Sequence, residues 1–172
     1  MIVRARFMRQ LYARVREDLA RVHEFAYERI GFLSAKLGNH LGDEPLVLFT
    51  DYYPVPDNQY IDDPQSGARI NSDAIRDAMQ RVLDAGEGLF HVHCHAHRGK
   101  PGFSLMDLKE TPTIVSSLQV AGPTQAHGMV LLSNDHYIAR VWMPGTGEPV
   151  VADRVAVVGY PVEIFLNRRS YV

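Results

Sequence analysis

Cysteine is almost absent from this sequence: Cys94 is the single one among 172 residues, so no disulfide can form within the chain. A chain without disulfides fits a reducing compartment. Long apolar runs are also missing, because stretches such as 129–132 fall far short of the roughly 20 residues that a bilayer-spanning helix requires. The N-terminus lacks the apolar segment and cleavage site of a secretory signal. We therefore expect a cytoplasmic protein without a membrane anchor.

The chain also has no excess of charge of either sign. Its formal net charge is −2, and its acidic and basic residues are interspersed along the sequence. A nucleic-acid partner is therefore not expected, because such binding depends on a basic surface that neutralises phosphates. The length of 172 residues suits one domain with a substantial core. We expect a single domain over residues 1–172.

Hydrophobic periodicity divides the chain into helices and strands. Residues 7–24 follow the three- and four-residue spacing of an amphipathic helix, and a second helix is expected from Ser72 to Gly86. Ser104 opens a third, short helix that Pro112 interrupts or re-starts. Apolar stretches predict strands from residue 30 and residue 46, in a hairpin around residues 134–135, and between residues 150 and 166. Helices and strands are intermingled, which predicts an α/β or α+β fold with a sheet flanked by helices.

Four histidines alternate with small or apolar residues at His91, His93, His95 and His97, and the carboxylate of Asp107 follows. On a strand, successive side chains point to opposite faces, so the four imidazoles would share one face. The glycines and proline between residues 99 and 102 end any regular element. Imidazoles at this density beside a carboxylate are typical of a transition-metal site.

Three short motifs follow one another along the chain. Glu28 and Gly31 form Glu-x-x-Gly, the histidine strand supplies His-x-His, and Ser104 with Asp107 forms Ser-x-x-Asp. In this order the sequence resembles the JAMM, or MPN-plus, zinc metalloproteases, which include the deubiquitinase of the proteasome lid and several bacterial members. The resemblance covers most of the chain, from the first helix to about residue 142.

The resemblance implies a role for each residue and a single MPN-like domain with a mixed, mostly antiparallel sheet flanked by helices. His93, His95 and Asp107 would hold Zn²⁺. Glu28 would act as base and then as proton donor to the leaving amine, and Ser104 would hydrogen-bond the oxyanion. The implied substrate is a ubiquitin-like protein or its conjugate, cleaved after the C-terminal tail, within a bacterial modification or antiviral system.

Three alternatives stay open at this point. The spacing from His95 to Asp107 is one residue longer than is usual in the family, so His97 or His91 could replace one of the zinc ligands. The alternating histidines also resemble the histidine-triad signature of nucleotide hydrolases and transferases. A non-catalytic MPN scaffold is the third reading. Ser104 and Asp107 also satisfy a helix capping box, which has a purely structural explanation.

Overall fold

The computed structural model describes residues 1–24, 26–39, 44–63 and 67–167. Three α-helices lie in this part of the chain: α1 (Arg9–Leu19), α2 (Ser72–Ala85) and α3 (Leu105–Ala121). The strands are β1 (Arg4–Met8), β2 (Ile30–Asn39), β3 (Pro45–Pro54), β4 (Gly88–Cys94), β5 (His127–Leu132), β6 (Tyr137–Trp142), β7 (Val150–Val151), β8 (Arg154–Val158) and β9 (Glu163–Leu166). All nine strands belong to one sheet, in the order β7-β6-β5-β4-β2-β3-β1-β8-β9.

The sheet is mixed and curls on itself. Strand β1 runs parallel to β3 and β8, and β4 runs parallel to β5, whereas the other neighbouring pairs are antiparallel. Although β6 and β9 lie near opposite ends of the strand order, the rings of Tyr137 and Phe165 have centroids only 4.2 Å apart. This contact is possible because the sheet bends into a half-barrel.

The predicted fold class, an α/β or α+β MPN-like sheet flanked by helices, is wrong. The larger core lies inside the curl and is formed mostly by strand side chains such as Phe7, Phe49 and Phe90. In the described chain, helix α1 alone among the helices adds buried side chains to this core, through Val15 and Leu19. The sheet thus buries one face against itself, and strands dominate the fold.

Helices α2 and α3 cover a second, smaller core. Ala74, Ala78 and Val82 of α2 and Leu118 of α3 pack there against β2 and β4. Burial of such an apolar helix stripe is the main stabilising contribution to each helix. This layer fixes the start of α3 beside the end of β4, where the candidate site lies.

Some helix boundaries differ from the sequence predictions. The predicted helix over residues 7–24 begins only at Arg9, because the preceding residues form β1. Helix α2 is capped by Asn71, whose Oδ1 accepts hydrogen bonds from two backbone N–H groups, and not by Ser72. Its last residue is Ala85, and the predicted stop at Gly86 is confirmed: Gly86 is the C-cap, with a φ of 63° in the left-handed conformation that glycine adopts without strain. Helix α3 continues through Pro112 without the predicted interruption.

Among the described residues, no helix combines the length and apolar character needed to cross a bilayer.

Candidate metal centre

Four of the predicted site residues come together from three separate segments. Nε2 of His93 lies 3.2 Å from Oδ1 of Asp107, and Nε2 of His95 lies 3.9 Å from Oδ2 of the same carboxylate. The carboxylate of Glu28 is also near, with Oε1 3.8 Å from Nε2 of His95. Both imidazoles therefore direct Nε2 towards a shared centre that two carboxylates also face.

The spacing of these atoms suits a divalent metal. Zinc ligands at 2.0–2.1 Å in a tetrahedron lie about 3.3 Å from one another, close to the 3.2 and 3.9 Å that separate the two imidazoles from Asp107. Among the described residues, the set in which one ligand atom from each residue lies within 4.8 Å of the others consists of Glu28, His93 and His95, whereas the two Asp107 distances involve different oxygens of that carboxylate. Imidazole nitrogen with carboxylate oxygen is a donor set that zinc prefers, so these residues fit the ion that the sequence resemblance implies.

Strand β4 delivers the histidines from the middle of the sheet. It is hydrogen-bonded on one side to β2, where Ile30 pairs with His93, and on the other to β5. His95 follows the end of the strand, where its backbone N–H donates to the Leu132 carbonyl at 2.9 Å. His93 is buried, whereas His95 retains 19% side-chain exposure. The two histidines therefore lie at the edge of the packed core, with His93 inside it and His95 open to solvent.

The other two histidines of the run are placed differently. His91 is also buried, and its ring lies beside that of His93 with centroids 5.2 Å apart. Burial lowers the pKa of His91 to about 3, so its ring is neutral at neutral pH. His97 is exposed, and its Nδ1 contacts the Arg98 carbonyl at 2.9 Å. Burial and the neighbouring His93 ring also lower the pKa of His95.

The start of α3 holds Asp107 by a capping box. The Ser104 hydroxyl accepts a hydrogen bond from the Asp107 N–H at 3.1 Å, and Oδ2 of Asp107 accepts one from the Ser104 N–H at 2.7 Å. Burial raises the pKa of Asp107, but hydrogen bonds from the His93 ring and the Ser104 backbone outweigh it and hold the pKa well below its usual range. The capping role and the ligand role of Asp107 are compatible, because Oδ2 accepts the Ser104 N–H while Oδ1 faces His93 at 3.2 Å.

Glu28 is held by backbone contacts with the long loop between β3 and α2. The N–H groups of Tyr27 and Glu28 both donate to the Gly67 carbonyl, at 2.8 and 3.0 Å. A Cβ atom at position 67 would lie 3.0 Å from Oε2 of Glu28, which is tighter than ordinary packing allows. Absence of a side chain at Gly67 therefore leaves room for the carboxylate.

The same loop forms a flap whose two sides pair with each other. Tyr60 and Ile70 form an antiparallel bridge, and the Ile61 N–H donates to the Arg69 carbonyl at 2.8 Å. We call residues 57–63 and 67–71 the flap; residues 64–66 lie outside the described chain. The hydroxyl of Tyr60 accepts a hydrogen bond from the Ile30 N–H at 2.7 Å, which ties the flap to the strand that follows Glu28.

The buried side chain of Arg29 also fixes the segment around Glu28. The Arg29 guanidinium donates to the carbonyls of Arg21 and Val22, both at 3.0 Å, and to Oδ1 of Asp57 at 2.7 Å. The hydrogen bond to Asp57 raises the pKa of Arg29 further. Arg29, which follows Glu28 in the chain, thereby links the segment after α1 to the flap.

The glycine of the Glu-x-x-Gly motif has a packing explanation. A Cβ atom at Gly31 would lie 2.3 Å from Cε2 of Tyr52 on the neighbouring strand. The Tyr52 ring therefore occupies the space above Gly31, and its hydroxyl donates to Oδ2 of Asp18 at 2.5 Å. Any larger residue at position 31 would displace this ring.

A pocket of about 220 Å³ opens over the centre and is lined by all five predicted site residues, Glu28, His93, His95, Ser104 and Asp107. The sequence did not indicate Gly67, Tyr60 or Arg29, because their contacts with the Glu28 segment depend on how the flap folds back. A Ser-Gly pair at residues 66–67 was visible only as a turn signal.

Neither a family model nor a curated protein matches this chain. The site itself must therefore carry any functional conclusion.

Proposed function

We propose that this protein is a zinc-dependent peptidase or isopeptidase that hydrolyses the amide bond after the C-terminal tail of a ubiquitin-like protein. One observation carries the proposal: two imidazole Nε2 atoms and two carboxylates converge at the base of an open pocket. The motif resemblance supports it through the same residues. The fold does not support it, since the sheet is not the helix-flanked one that the resemblance implies.

His93, His95 and Asp107 would hold the zinc ion. When bound, zinc would polarise the scissile carbonyl and make water a stronger acid, which is the chemistry needed for amide hydrolysis. The buried His93 and the capped Asp107 are fixed by β4 and α3, so this pair is organised before any ligand binds. His95 completes the set at the exposed side.

Glu28 would move the protons of the reaction. Its carboxylate retains 26% exposure and lines the pocket over the centre, so it can reach water and substrate. It would accept a proton from the attacking water at a carboxylate oxygen and donate it to the leaving amine. General acid–base catalysis of this kind contributes about 10²–10⁴-fold in rate.

Ser104 would stabilise the oxyanion that forms from the scissile carbonyl. Its hydroxyl oxygen already accepts the Asp107 N–H, which leaves the hydroxyl proton to be donated. A donor of this type is worth roughly 10²–10³-fold in rate. The pocket of about 220 Å³ is small, which favours residues with little side chain at the scissile bond, such as the glycines of a ubiquitin-like tail.

The nucleotide chemistry of the histidine-triad resemblance is less compatible with this pocket. A phosphate bound beside His93 and His95 would face the carboxylates of Glu28 and Asp107. Like charges at such distances disfavour binding.

Elemental analysis coupled to a cleavage assay tests the proposal. We expect one zinc per chain, and cleavage of a linear fusion of a ubiquitin-like protein to a reporter that chelator abolishes and added zinc restores. His93→Ala should lose both zinc and activity, whereas His97→Ala should keep both because its ring is turned to the Arg98 carbonyl. A zinc-free protein with an intact fold would favour the scaffold reading instead.

A further inference from the structure

Strand β9 is one of the two outermost strands of the sheet, and in the described chain no other strand pairs with its free edge. The side chain of Phe165 turns into the curl, where its ring contacts Tyr137. Because side chains alternate along a strand, Ile164 and Leu166 turn to the opposite, convex face. These two side chains are 53% and 62% exposed. The sheet therefore ends at β9 in an edge that is apolar and unpaired.

The hydrogen bonds between β8 and β9 show which backbone groups remain at this free edge. The two strands are antiparallel, and the Asn167 N–H continues their register by donating to the Asp153 carbonyl at 2.9 Å. In an antiparallel ladder every second residue pair exchanges hydrogen bonds, so Phe165 also directs its backbone groups to β8. The N–H and C=O groups of Ile164 and Leu166 therefore point to the free edge.

The two outermost strands differ in how their free edges are protected. Natural sheets protect an edge by a short strand, by proline or by charged side chains. Strand β7 follows this rule, because it has two residues and Pro149 precedes it. The charged side chain of β9, Glu163, instead turns to the same face as Phe165 and pairs with Arg9 at 2.9 Å. An edge such as that of β9 is a template for pairing with another strand.

The free edge of β9 complements itself, which favours a second copy of this chain over an unrelated partner. The ladder with β8 extends from residue 163 to residue 167, so Phe165 is its middle residue. A twofold axis beside Phe165 would set Ile164 of each copy opposite Leu166 of the other. Both members of each pair present free backbone groups, so each pair would close with two hydrogen bonds. The exposed aliphatic side chains would cover each other on the convex face.

We infer that this protein forms a twofold-symmetric dimer in which β9 pairs antiparallel with β9 of a second copy, so that the sheet continues from one chain into the other. The contact is isologous, so each interaction occurs twice and the assembly closes at two chains. The paired segments are short, and we therefore expect a reversible dimer with a dissociation constant in the micromolar range.

The dimer would leave the candidate metal centre open. Among the described residues, those that line the pocket over this centre include none from β8 or β9. The inference therefore does not depend on the proposed function. A variant that no longer dimerises should still bind zinc, and a protein that binds no zinc should still dimerise.

Sedimentation equilibrium of the full chain tests the association. We expect the mass to rise from 19.4 kDa to twice that value as the concentration passes through the micromolar range. Ile164→Lys and Leu166→Lys should each weaken the association by about tenfold to hundredfold, because each removes the burial of about half an aliphatic side chain from both copies. Val151→Lys is the matched control at the exposed edge strand β7 and should leave the association unchanged. All three variants should keep the unfolding midpoint that the unchanged protein has as a monomer.

Disulfide crosslinking tests the register of the two strands. In a Cys94→Ala background, Ile164→Cys chains and Leu166→Cys chains would be oxidised separately and as a mixture, with one variant ¹⁵N-labelled so that mass spectrometry distinguishes the dimers. Opposed residues of a hydrogen-bonded pair have Cα atoms about 5.5 Å apart, within reach of a disulfide, whereas diagonal neighbours lie about 7–8 Å apart. The mixed dimer should therefore form at least about tenfold faster than either dimer of like chains.

A chain that stays at 19.4 kDa throughout the concentration range would overturn the inference. An association that both lysine variants leave unchanged, or that Val151→Lys weakens as much, would also overturn it, since another surface would then be responsible. Faster crosslinking between like chains would refute the pairing of Ile164 with Leu166 and, with it, the twofold axis at Phe165.

Discussion

Exchanging the two carboxylates of the site one at a time distinguishes a zinc ligand from a proton carrier. Asp107 faces both imidazole Nε2 atoms at 3.2 and 3.9 Å, and Glu28 approaches His95 at 3.8 Å. Distances alone do not separate their roles, since Glu28 also forms a three-residue donor set with the two histidines. Their anchoring differs: Asp107 is fixed by a capping box on a helix, and Glu28 lies on an irregular segment against the flap.

We predict that Glu28→Gln keeps one zinc per chain and loses about 10²–10⁴-fold in kcat, equivalent to about 2.7–5.5 kcal/mol of transition-state stabilisation. The amide occupies the same volume as the carboxylate but does not accept a proton at neutral pH. The affinity for substrate should change little, because the contacts that hold residue 28 are made by its backbone with Gly67.

Asp107→Asn is the matched exchange, because asparagine can still accept the Ser104 N–H and so preserves the helix cap. We expect it to weaken zinc binding, with activity returning at high zinc concentration. The assay compares the zinc content of desalted protein with turnover of the ubiquitin-like fusion in a zinc titration. If Glu28→Gln loses the metal while Asp107→Asn retains it, the roles of the two carboxylates are reversed and the assignment is refuted.

Three further predictions concern neighbouring positions. Ser104→Asp should keep the helix cap, since aspartate also accepts the helix N–H, but it should lose about 10²–10³-fold in kcat because it has no hydroxyl proton to donate. Ser104→Thr should retain both the activity and the unfolding midpoint. Equal activity of the two variants would contradict the oxyanion role. Gly67→Ala should place a methyl group 3.0 Å from Oε2 of Glu28. Displacement of the carboxylate should lower kcat by roughly tenfold, with little change in the unfolding free energy. Unchanged kinetics would mean that the position of the Glu28 carboxylate is not critical. His127 accepts the Leu89 N–H at Nδ1, and its Nε2 lies 2.9 Å from the Gly122 carbonyl; burial lowers its pKa, so the folded state resists its protonation. The contribution of neutral His127 to stability should be present above pH 6.5 and lost as the pH falls, by at most about 1.4 kcal/mol per pH unit. In urea unfolding from pH 7.5 to 5, the unfolding free energy of His127→Gln should therefore depend less steeply on pH than that of the unchanged protein. Parallel pH dependences of the two proteins would refute this.

The sequence was informative about the site where residue order and strand alternation determine geometry. The alternation of the histidine run predicted that His91, His93, His95 and His97 share a face. The rings of the first three lie beside one another with centroids 5.2 and 5.1 Å apart, whereas His97 is exposed beyond the end of β4. The Ser-x-x-Asp spacing implied a helix N-terminus at Ser104, which is where α3 begins. Both features are local, because a strand's two-residue repeat and a helix's first turn are set by a few consecutive residues.

The fold class could not be obtained in the same way. The last two residues of strand β1, Phe7 and Met8, continue directly into the periodic pattern of α1, so they were predicted as the start of that helix. Pairing of β1 with β3 and β8, and the contact of Tyr137 with Phe165, join residues that are far apart in the chain. Nothing in the alternation of β8 or β9 indicates that the sheet curls to bring them opposite β6.

The way each side chain is supported matches the role proposed for it. His93 comes from a central strand and Asp107 from a capped helix, and such rigid elements hold metal ligands within the small tolerances that coordination requires. Glu28 is the exception, since its backbone is held by the flap through one glycine carbonyl while its side chain remains partly exposed. A group that takes a proton from water and gives it to an amine must reach two different atoms in turn, which a ligand fixed on a strand could not do. The irregular segment at Glu28 is thus the part of the site best suited to proton transfer, and the flap that contacts it is the element through which substrate binding would influence the chemistry.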